Sequence, residues 1–208
     1  MMRSVMRLWS APACLLFVIG CSESATPAPD NEAPPVAAVA AGPSGADPMA
    51  AALSPLKIQF MNYDEVQRLI KSHQGKVVVM DCWSTWCEPC KKEFPGLVEL
   101  HEKYGADKIA CISLCLDYEG LKKETPEEHE PEVRQFLERQ DADFDNVIST
   151  VASDEMSEKL GIATVPAIFV YSQQGELAQT FKTGAADDKP FTYKEVGETV
   201  AGLLKDEG

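Results

Sequence analysis

Two cysteines separated by two residues carry the strongest chemical signal in the sequence, within the segment Trp86-Cys87-Glu88-Pro89-Cys90. A three-residue step on a helix places two side chains on one face, where their sulfurs can form a reversible disulfide with little backbone movement. A helix N-terminus also stabilises negative charge, so a thiolate is favoured at the first cysteine. We therefore expect Cys87 to be the attacking thiolate and Cys90 to be the shielded sulfur that resolves a mixed disulfide.

The segments on either side of this motif predict a buried strand followed by an amphipathic helix. Residues 76–82 are nearly all apolar and rich in β-branched side chains, which is typical of a central strand covered on both faces. The segment after the motif carries core-facing residues at three- and four-residue steps and ends at Gly105. These residues are Phe94, Leu97, Val98, His101 and Tyr104.

The rest of the chain from residue 56 alternates between strand and helix patterns, which predicts an α/β fold with a mixed sheet. The predicted strands are 109–116, 146–148, 167–171 and 176–182, the last two forming a hairpin. The predicted helices are 63–72, 132–140, 153–160 and 193–205, with Asn62 capping the first. Residues 117–131 are predicted to be a loop or insertion.

The string from Trp86 to Pro95 resembles the active-site segment of the TlpA/ResA-like exported thiol-disulfide oxidoreductases of the thioredoxin superfamily. The resemblance extends over about residues 56–208, with an insertion near 117–145. It implies a thioredoxin-like three-layer α/β/α sandwich with a mixed central sheet. It also implies an enzyme that reduces protein disulfides and needs no cofactor beyond its own redox-active disulfide, Cys87–Cys90.

The same resemblance implies where a client polypeptide binds. Thr164-Val165-Pro166 matches the cis-proline loop of the family, which lies against the disulfide and offers backbone groups to a peptide. Trp86, immediately before the first cysteine, is expected to shape the client groove. Pro95 stands where family members carry a helix-kinking proline.

Two acids are candidates for handling the proton of Cys90. Asp81 occupies the position that resembles the buried aspartate of thioredoxin, and Glu93 stands where ResA-like proteins carry an active-site glutamate. A buried carboxylate has a raised pKa and can relay a proton during resolution. The sequence leaves both open, with Glu93 slightly preferred.

Glu88, beside the attacking cysteine, is expected to oppose thiolate formation and so to favour the disulfide form. This predicts a reductant, with a potential nearer the value of about −270 mV for thioredoxin than the value of about −120 mV for the oxidant DsbA.

The remaining cysteines of the domain, Cys82, Cys111 and Cys115, fall on predicted strands and are interpreted as core residues. The three histidines are scattered, so a zinc site is not predicted. An alternative function is that of a Sco-type copper metallochaperone using Cys87 and Cys90, although that type usually spaces its cysteines four apart. A redox-inert adaptor on the same fold is a further alternative.

The N-terminal segment predicts export. Residues 1–20 carry Arg3, Arg7 and an apolar run from Leu8 to Gly20, shorter than the roughly 20 residues of a membrane-spanning helix. The run ends at Cys21 and resembles a bacterial lipobox, so Cys21 is the predicted lipidation site; an ordinary signal peptide is the alternative. Residues 21–55, rich in proline and alanine and free of aromatic residues, are predicted to be a disordered tether for the domain 56–208.

Charge and family resemblance set the expected partners. The net charge of −14 disfavours nucleic-acid binding. The predicted location is the bacterial cell envelope, lipid-anchored and facing the periplasm or exterior. The resemblance implies a membrane thiol donor of the DsbD or CcdA type, and apocytochrome c is one plausible client.

Overall fold

A mixed sheet of six strands organises the part of the chain that the computed structural model describes, residues 56–184 and 191–205. The predicted leader, the tether and Cys21 lie outside these residues. The strands, in chain order, are β1 (Ile58–Met61), β2 (Val77–Trp83), β3 (Ile109–Cys115), β4 (Asp145–Ser149), β5 (Ala167–Tyr171) and β6 (Leu177–Lys182). Their order across the sheet is β1-β4-β3-β2-β5-β6; the first four are parallel, and β5 and β6 are antiparallel to their neighbours.

Helices cover both faces of the sheet, which confirms the predicted three-layer α/β/α architecture. They are α1 (Tyr63–Ser72), α2 (Glu88–Glu93), α3 (Pro95–Tyr104), α4 (Glu130–Arg139), α5 (Ser153–Leu160) and α6 (Tyr193–Leu203), and a 3-10 turn at Pro126–His129 precedes α4. The buried side chains of α2, α3, α4 and α6 pack on one face, and those of α1 and α5 pack on the other. No helix in the described ranges is both long enough and apolar enough to cross a membrane.

Most predicted elements are found within one or two residues of their expected bounds, and α5 coincides with its predicted range. The predicted cap at Asn62 is present, because its side chain accepts the Glu65 N–H; the Glu65 carboxylate also accepts the Asn62 N–H, which completes a capping box. The predicted loop 117–131 is wrong at its end, where α4 already begins at Glu130. Strand β1 was not predicted, because every residue of this edge strand is half-buried and its sequence therefore lacks an alternating pattern.

The sequence predicted one helix after the cysteine motif, and the structure has two helices there. Pro95 begins α3 directly after α2, and its missing N–H interrupts the hydrogen-bond ladder at that point. The short helix α2 therefore carries Cys90, with Cys87 as its N-cap, while α3 supplies the buried residues Leu97 and Leu100.

Strand β2 lies at the centre of the sheet, and all seven of its residues are buried. Val79 and Trp83 belong to one core cluster, which we call the disulfide-side cluster because it also contains Cys87 and Cys90. Met80 and Cys82 belong to a second cluster on the opposite face, which we call the opposite-side cluster. Strand alternation places Asp81 on the disulfide side with Val79 and Trp83.

Candidate functional site

A disulfide between Cys87 and Cys90 lies at the junction between the end of β2 and the start of α2, with the two Cα atoms 5.3 Å apart. Cys87 is the N-cap of α2, and its sulfur accepts a hydrogen bond from the Cys90 N–H at 3.3 Å. Cys87 is 7% exposed and Cys90 1% exposed, so the first sulfur is the more accessible of the two. The more accessible sulfur is thus the one predicted to attack, and the roles of Cys87 and Cys90 stay predictions.

Asp117 fixes the loop between β2 and Cys87. One carboxylate oxygen accepts the Thr85 N–H at 2.9 Å, and the other accepts the Thr85 hydroxyl at 2.7 Å. Both residues are buried, so these bonds satisfy polar groups that water does not reach. The sequence reading missed Asp117, although an acid directly after a strand that neighbours β2 was the available signal.

The predicted client-binding residues gather beside the disulfide-bearing helix. The Val165–Pro166 peptide bond is cis, as the resemblance implied. A cleft of about 780 Å³ separates the cis-proline loop from α2. Its lining residues are Glu88, Pro89, Lys92, Glu93, Val165, Pro166, Thr183 and Phe191.

Trp86 lies on the other flank of the same loop. Its side chain is 62% exposed, whereas Trp83 is fully buried in the disulfide-side cluster. Trp86 and Val165 line a second cleft, of about 450 Å³, against α5. Val165 therefore borders both clefts, and Trp86, Val165 and Pro166 can contact one extended polypeptide laid across the site.

Asp81 is the buried acid of the site. It is 2% exposed; its Oδ2 accepts a hydrogen bond from the Tyr193 hydroxyl at 2.6 Å, and its Oδ1 has no hydrogen-bond partner among the described residues. The pKa of Asp81 is raised to about 7, because burial and, to a smaller extent, the nearby Glu93 charge raise it by more than the Tyr193 hydrogen bond lowers it. The sequence reading did not identify Tyr193.

Glu93 lies close enough to influence Asp81 electrostatically, but it is only half-buried and lines the cleft at the cis-proline loop. A group that exchanges a proton near neutral pH must titrate there, and the raised pKa of Asp81 meets that requirement. Its burial and raised pKa make Asp81 the stronger candidate, whereas Glu93 was slightly preferred from the sequence.

The negative charge of Glu88 near Cys87 is accompanied by the positive charge of Lys91. Its side chain is 83% exposed and pairs with Lys91 at 2.6 Å, one turn further along α2. Solvent and the lysine charge both screen the carboxylate. The expected opposition of Glu88 to thiolate formation is therefore reduced.

The three free cysteines of the described residues are buried, as predicted. Burial raises the pKa of Cys82, Cys111 and Cys115, and Asp81 or Asp117 raises it further. These thiols remain protonated and unreactive at neutral pH. In the described part of the chain, no three His, Cys, Asp or Glu side chains cluster as metal ligands.

Known proteins are similar to this chain over more than half of its length. The profile of the AhpC/TSA family matches residues 56–180. The thiol-disulfide oxidoreductase ResA of Bacillus thuringiensis subsp. konkukian is 29% identical over 113 residues, 54% of this chain and 58% of that protein. The thioredoxin-like protein YneN of Bacillus subtilis is 25% identical over 125 residues, 60% of this chain and 66% of that protein.

A solved structure of a thiol-disulfide isomerase from Corynebacterium glutamicum has the same fold. It superposes with a TM-score of 0.50 at 19% sequence identity, covering 65% of this chain and 84% of that one. The resemblance to ResA-like thioredoxin-fold proteins inferred from residues 86–95 is confirmed by these similarities. The matched segment spans little more than half the length of the ResA protein.

Proposed function

This chain belongs to the AhpC/TSA family, and from that premise we propose that it is a thiol-disulfide oxidoreductase acting on protein disulfides. The observation that carries the proposal is the Cys87–Cys90 disulfide at a helix N-terminus, beside a cleft lined by the cis-proline loop. The similarity to oxidoreductases of the ResA type supports the same chemistry.

The proposed direction is reduction of the client. The Cys87 thiolate attacks one sulfur of a client disulfide, that bond breaks, and the other client sulfur leaves as a thiolate that takes a proton from solvent. The Cys90 thiol then loses its proton, and its sulfur attacks Cys87. The mixed disulfide breaks, the client departs with two thiols, and the protein keeps the Cys87–Cys90 disulfide. Two electrons have passed to the client, and a dithiol donor must restore them.

The cellular setting is a further part of the proposal. The leader at 1–20, Cys21 and the tether at 21–55 support export and lipid anchoring in a bacterial cell envelope, with the domain facing the periplasm or exterior. A membrane thiol donor of the DsbD or CcdA type would supply the electrons, and apocytochrome c is a candidate client. Labelling cells with a radioactive fatty acid tests the anchor: label on the wild type and none on Cys21→Ala is the expected result.

Client trapping tests the oxidoreductase itself. Cys90→Ser cannot resolve a mixed disulfide, so we expect clients to remain covalently bound through Cys87 and to be released by dithiothreitol. The matched control is Cys87→Ser, which should trap nothing. Equal recovery of clients from both variants, or from neither, would overturn the proposal.

The redox potential tests the direction. Equilibration with glutathione buffers should give a value near about −270 mV, as for thioredoxin. A potential above about −180 mV, the value for protein disulfide isomerase, would exclude the reductase direction.

A further inference from the structure

Tyr193 supplies the hydrogen bond that Asp81 receives, although 112 residues separate the two in the chain. Tyr193 is the first residue of α6 and packs against the disulfide-side cluster. Its hydroxyl donates a hydrogen bond to Oδ2 of Asp81. The other carboxylate oxygen, Oδ1, is also buried and has no hydrogen-bond partner among the described residues. The carboxylate thus has one oxygen held in place and one oxygen available.

Gly96 makes room for this contact. A Cβ atom at Gly96 would overlap the ring of Tyr193, so any larger residue would displace the ring. Gly96 lies in α3, where glycine is less favourable than alanine by about 1 kcal/mol. The close approach of the Tyr193 ring gives a physical reason for glycine at this position.

The groups around Asp81 determine when it is ionised. Glu93 on α2 is the charged neighbour, and Tyr193 on α6 donates to the carboxylate. Cys111 on β3 and Cys82 on β2 also interact electrostatically with Asp81, but burial raises the pKa of both thiols, so neither is charged near neutral pH. The facing residue of β5, Ile168, carries no charge. Only the Tyr193 hydroxyl among these groups stabilises the carboxylate form.

We propose that Tyr193 is a positioning residue for resolution of the mixed disulfide, holding Asp81 by Oδ2 so that Oδ1 can receive the proton of Cys90. The inference rests on the proposed oxidoreductase function. Asp81 lies on the face of β2 that packs with Cys87 and Cys90, which puts the carboxyl group in the layer of the reacting sulfurs.

The proton and the electrons balance within this step. Cys90 gives its proton to Oδ1 of Asp81, and the resulting thiolate attacks Cys87. The bond between Cys87 and the client sulfur breaks, and the client sulfur leaves with the electron pair. The proton then leaves Asp81 for the departing client thiolate or for solvent, which restores the carboxylate.

Ellman's reagent separates the two chemical steps in a stopped-flow experiment. Mixed with the reduced protein, it releases one coloured thiolate when Cys87 attacks and a second when Cys90 resolves. Removing a hydrogen bond to a charged group shifts its pKa by about one unit. For Tyr193→Phe we therefore expect the pH midpoint of the second release to rise by about one unit, with a rate roughly fivefold lower near neutral pH.

Three further variants separate this role from a structural one. Tyr104→Phe removes another hydroxyl packed on the same cluster, but not bonded to Asp81, and should leave the midpoint unchanged. Gly96→Ala should raise the midpoint, because it displaces the Tyr193 ring. Asp81→Asn should slow the second release, and adding Tyr193→Phe to it should change nothing more.

The outcomes distinguish the inference from the proposed function. Titration of the Asp81 carboxyl carbon by NMR in the oxidised protein should show the same upward shift in Tyr193→Phe. An unchanged midpoint and an unchanged titration in folded Tyr193→Phe would overturn the role of Tyr193, even if the variant were less stable. Absence of a second release in the wild type would overturn the proposed function and this inference with it.

Discussion

Asp81 and Cys82 are consecutive residues of β2, equally buried, and they face opposite layers of the molecule. On the disulfide side, two buried side chains of the strand make specific hydrogen bonds: Oδ2 of Asp81 accepts from the Tyr193 hydroxyl, and the Trp83 indole N–H donates to the Ser113 hydroxyl at 3.2 Å. On the opposite side, Cys82 packs among apolar residues such as Met80, Leu114 and Met156. The central strand therefore separates chemistry from packing, and neighbouring positions should tolerate very different changes.

The largest expected effect is the loss of activity in Cys87→Ser, which removes the attacking sulfur. Insulin reduction with dithiothreitol as donor should fall to the rate of dithiothreitol alone. Cys82→Ala, on the opposite side, should keep its activity and lose about 1 kcal/mol of unfolding free energy, because only packing is removed. A folded but inactive Cys82→Ala would contradict the separation of the two layers.

Asp81→Asn should stabilise the protein at neutral and higher pH. The pKa of Asp81 rises from 3.8 to about 7 on folding, so its contribution to stability is complete below pH 3.8 and is lost as the pH rises through about 7. A shift of this size corresponds to roughly 4 kcal/mol, and asparagine avoids that cost while still accepting the Tyr193 hydrogen bond.

Urea unfolding across a pH series measures this effect. The difference between Asp81→Asn and wild type should be small near pH 4 and largest above about pH 7, the range bounded by the two pKa values. Cys82→Ala is the control from the opposite layer, and its difference from wild type should stay constant over the same range, because the pKa of Cys82 lies well above it. A constant difference for Asp81→Asn as well would mean that Asp81 is not a titrating group in this range.

The two ends of the sheet also differ, because Asp117 at the disulfide end is buried and Asp145 at the other end is half-buried. Asp117→Ala, at the disulfide end, leaves the Thr85 N–H and hydroxyl unpaired and should cost about 1–3 kcal/mol. It should also slow insulin reduction, because the loop that carries Trp86 and Cys87 is no longer held by the hydrogen bonds between Thr85 and Asp117.

Asp145→Ala is the matched change at the far end, where Asp145 bonds His73 at 2.8 Å in a partly exposed pair. It should cost less stability and leave the rate of insulin reduction unchanged. Equal rates for the two variants would show that the Asp117–Thr85 contact serves stability alone.

The smallest expected effect is at the rim of the disulfide side. Glu88→Gln removes a screened negative charge near Cys87, so the redox potential should rise by less than about 30 mV. Lys91→Met removes the paired positive charge and should lower the potential by a similar amount. A larger rise for Glu88→Gln would restore Glu88 as a main determinant of the potential.

Local patterns in the sequence predicted most of the fold. The apolar run of β2, the Asn62 cap of α1 and the turn between β5 and β6 are signals that depend on neighbouring residues only. The edge strand β1 was missed because its four half-buried residues lack an alternating pattern. Pro95 indicated a kink in the helix after Cys87, and in the structure the helix is divided there into two separate elements.

The site was predictable only in part, since some of its contacts join distant residues. The cysteine spacing identifies Cys87 and Cys90, and family resemblance identifies the cis-proline loop. Tyr193 could not be found this way, because no local pattern links it to Asp81 across 112 residues. The effect of Glu88 was overestimated because Lys91, three residues later on the same helix face, pairs with it and screens its charge.

The placement of Tyr193 has a consequence for the biogenesis of the protein. Asp81 is translated early and Tyr193 late, so in a growing chain that lacks α6 the carboxyl group of Asp81 does not yet have the hydrogen bond from the Tyr193 hydroxyl. Val196 and Val200, which anchor α6 in the core, arrive at the same late stage. Synthesis of α6 therefore completes both the packing of the core and the hydrogen bond to Asp81. Chains truncated before residue 193 should not form a working active site.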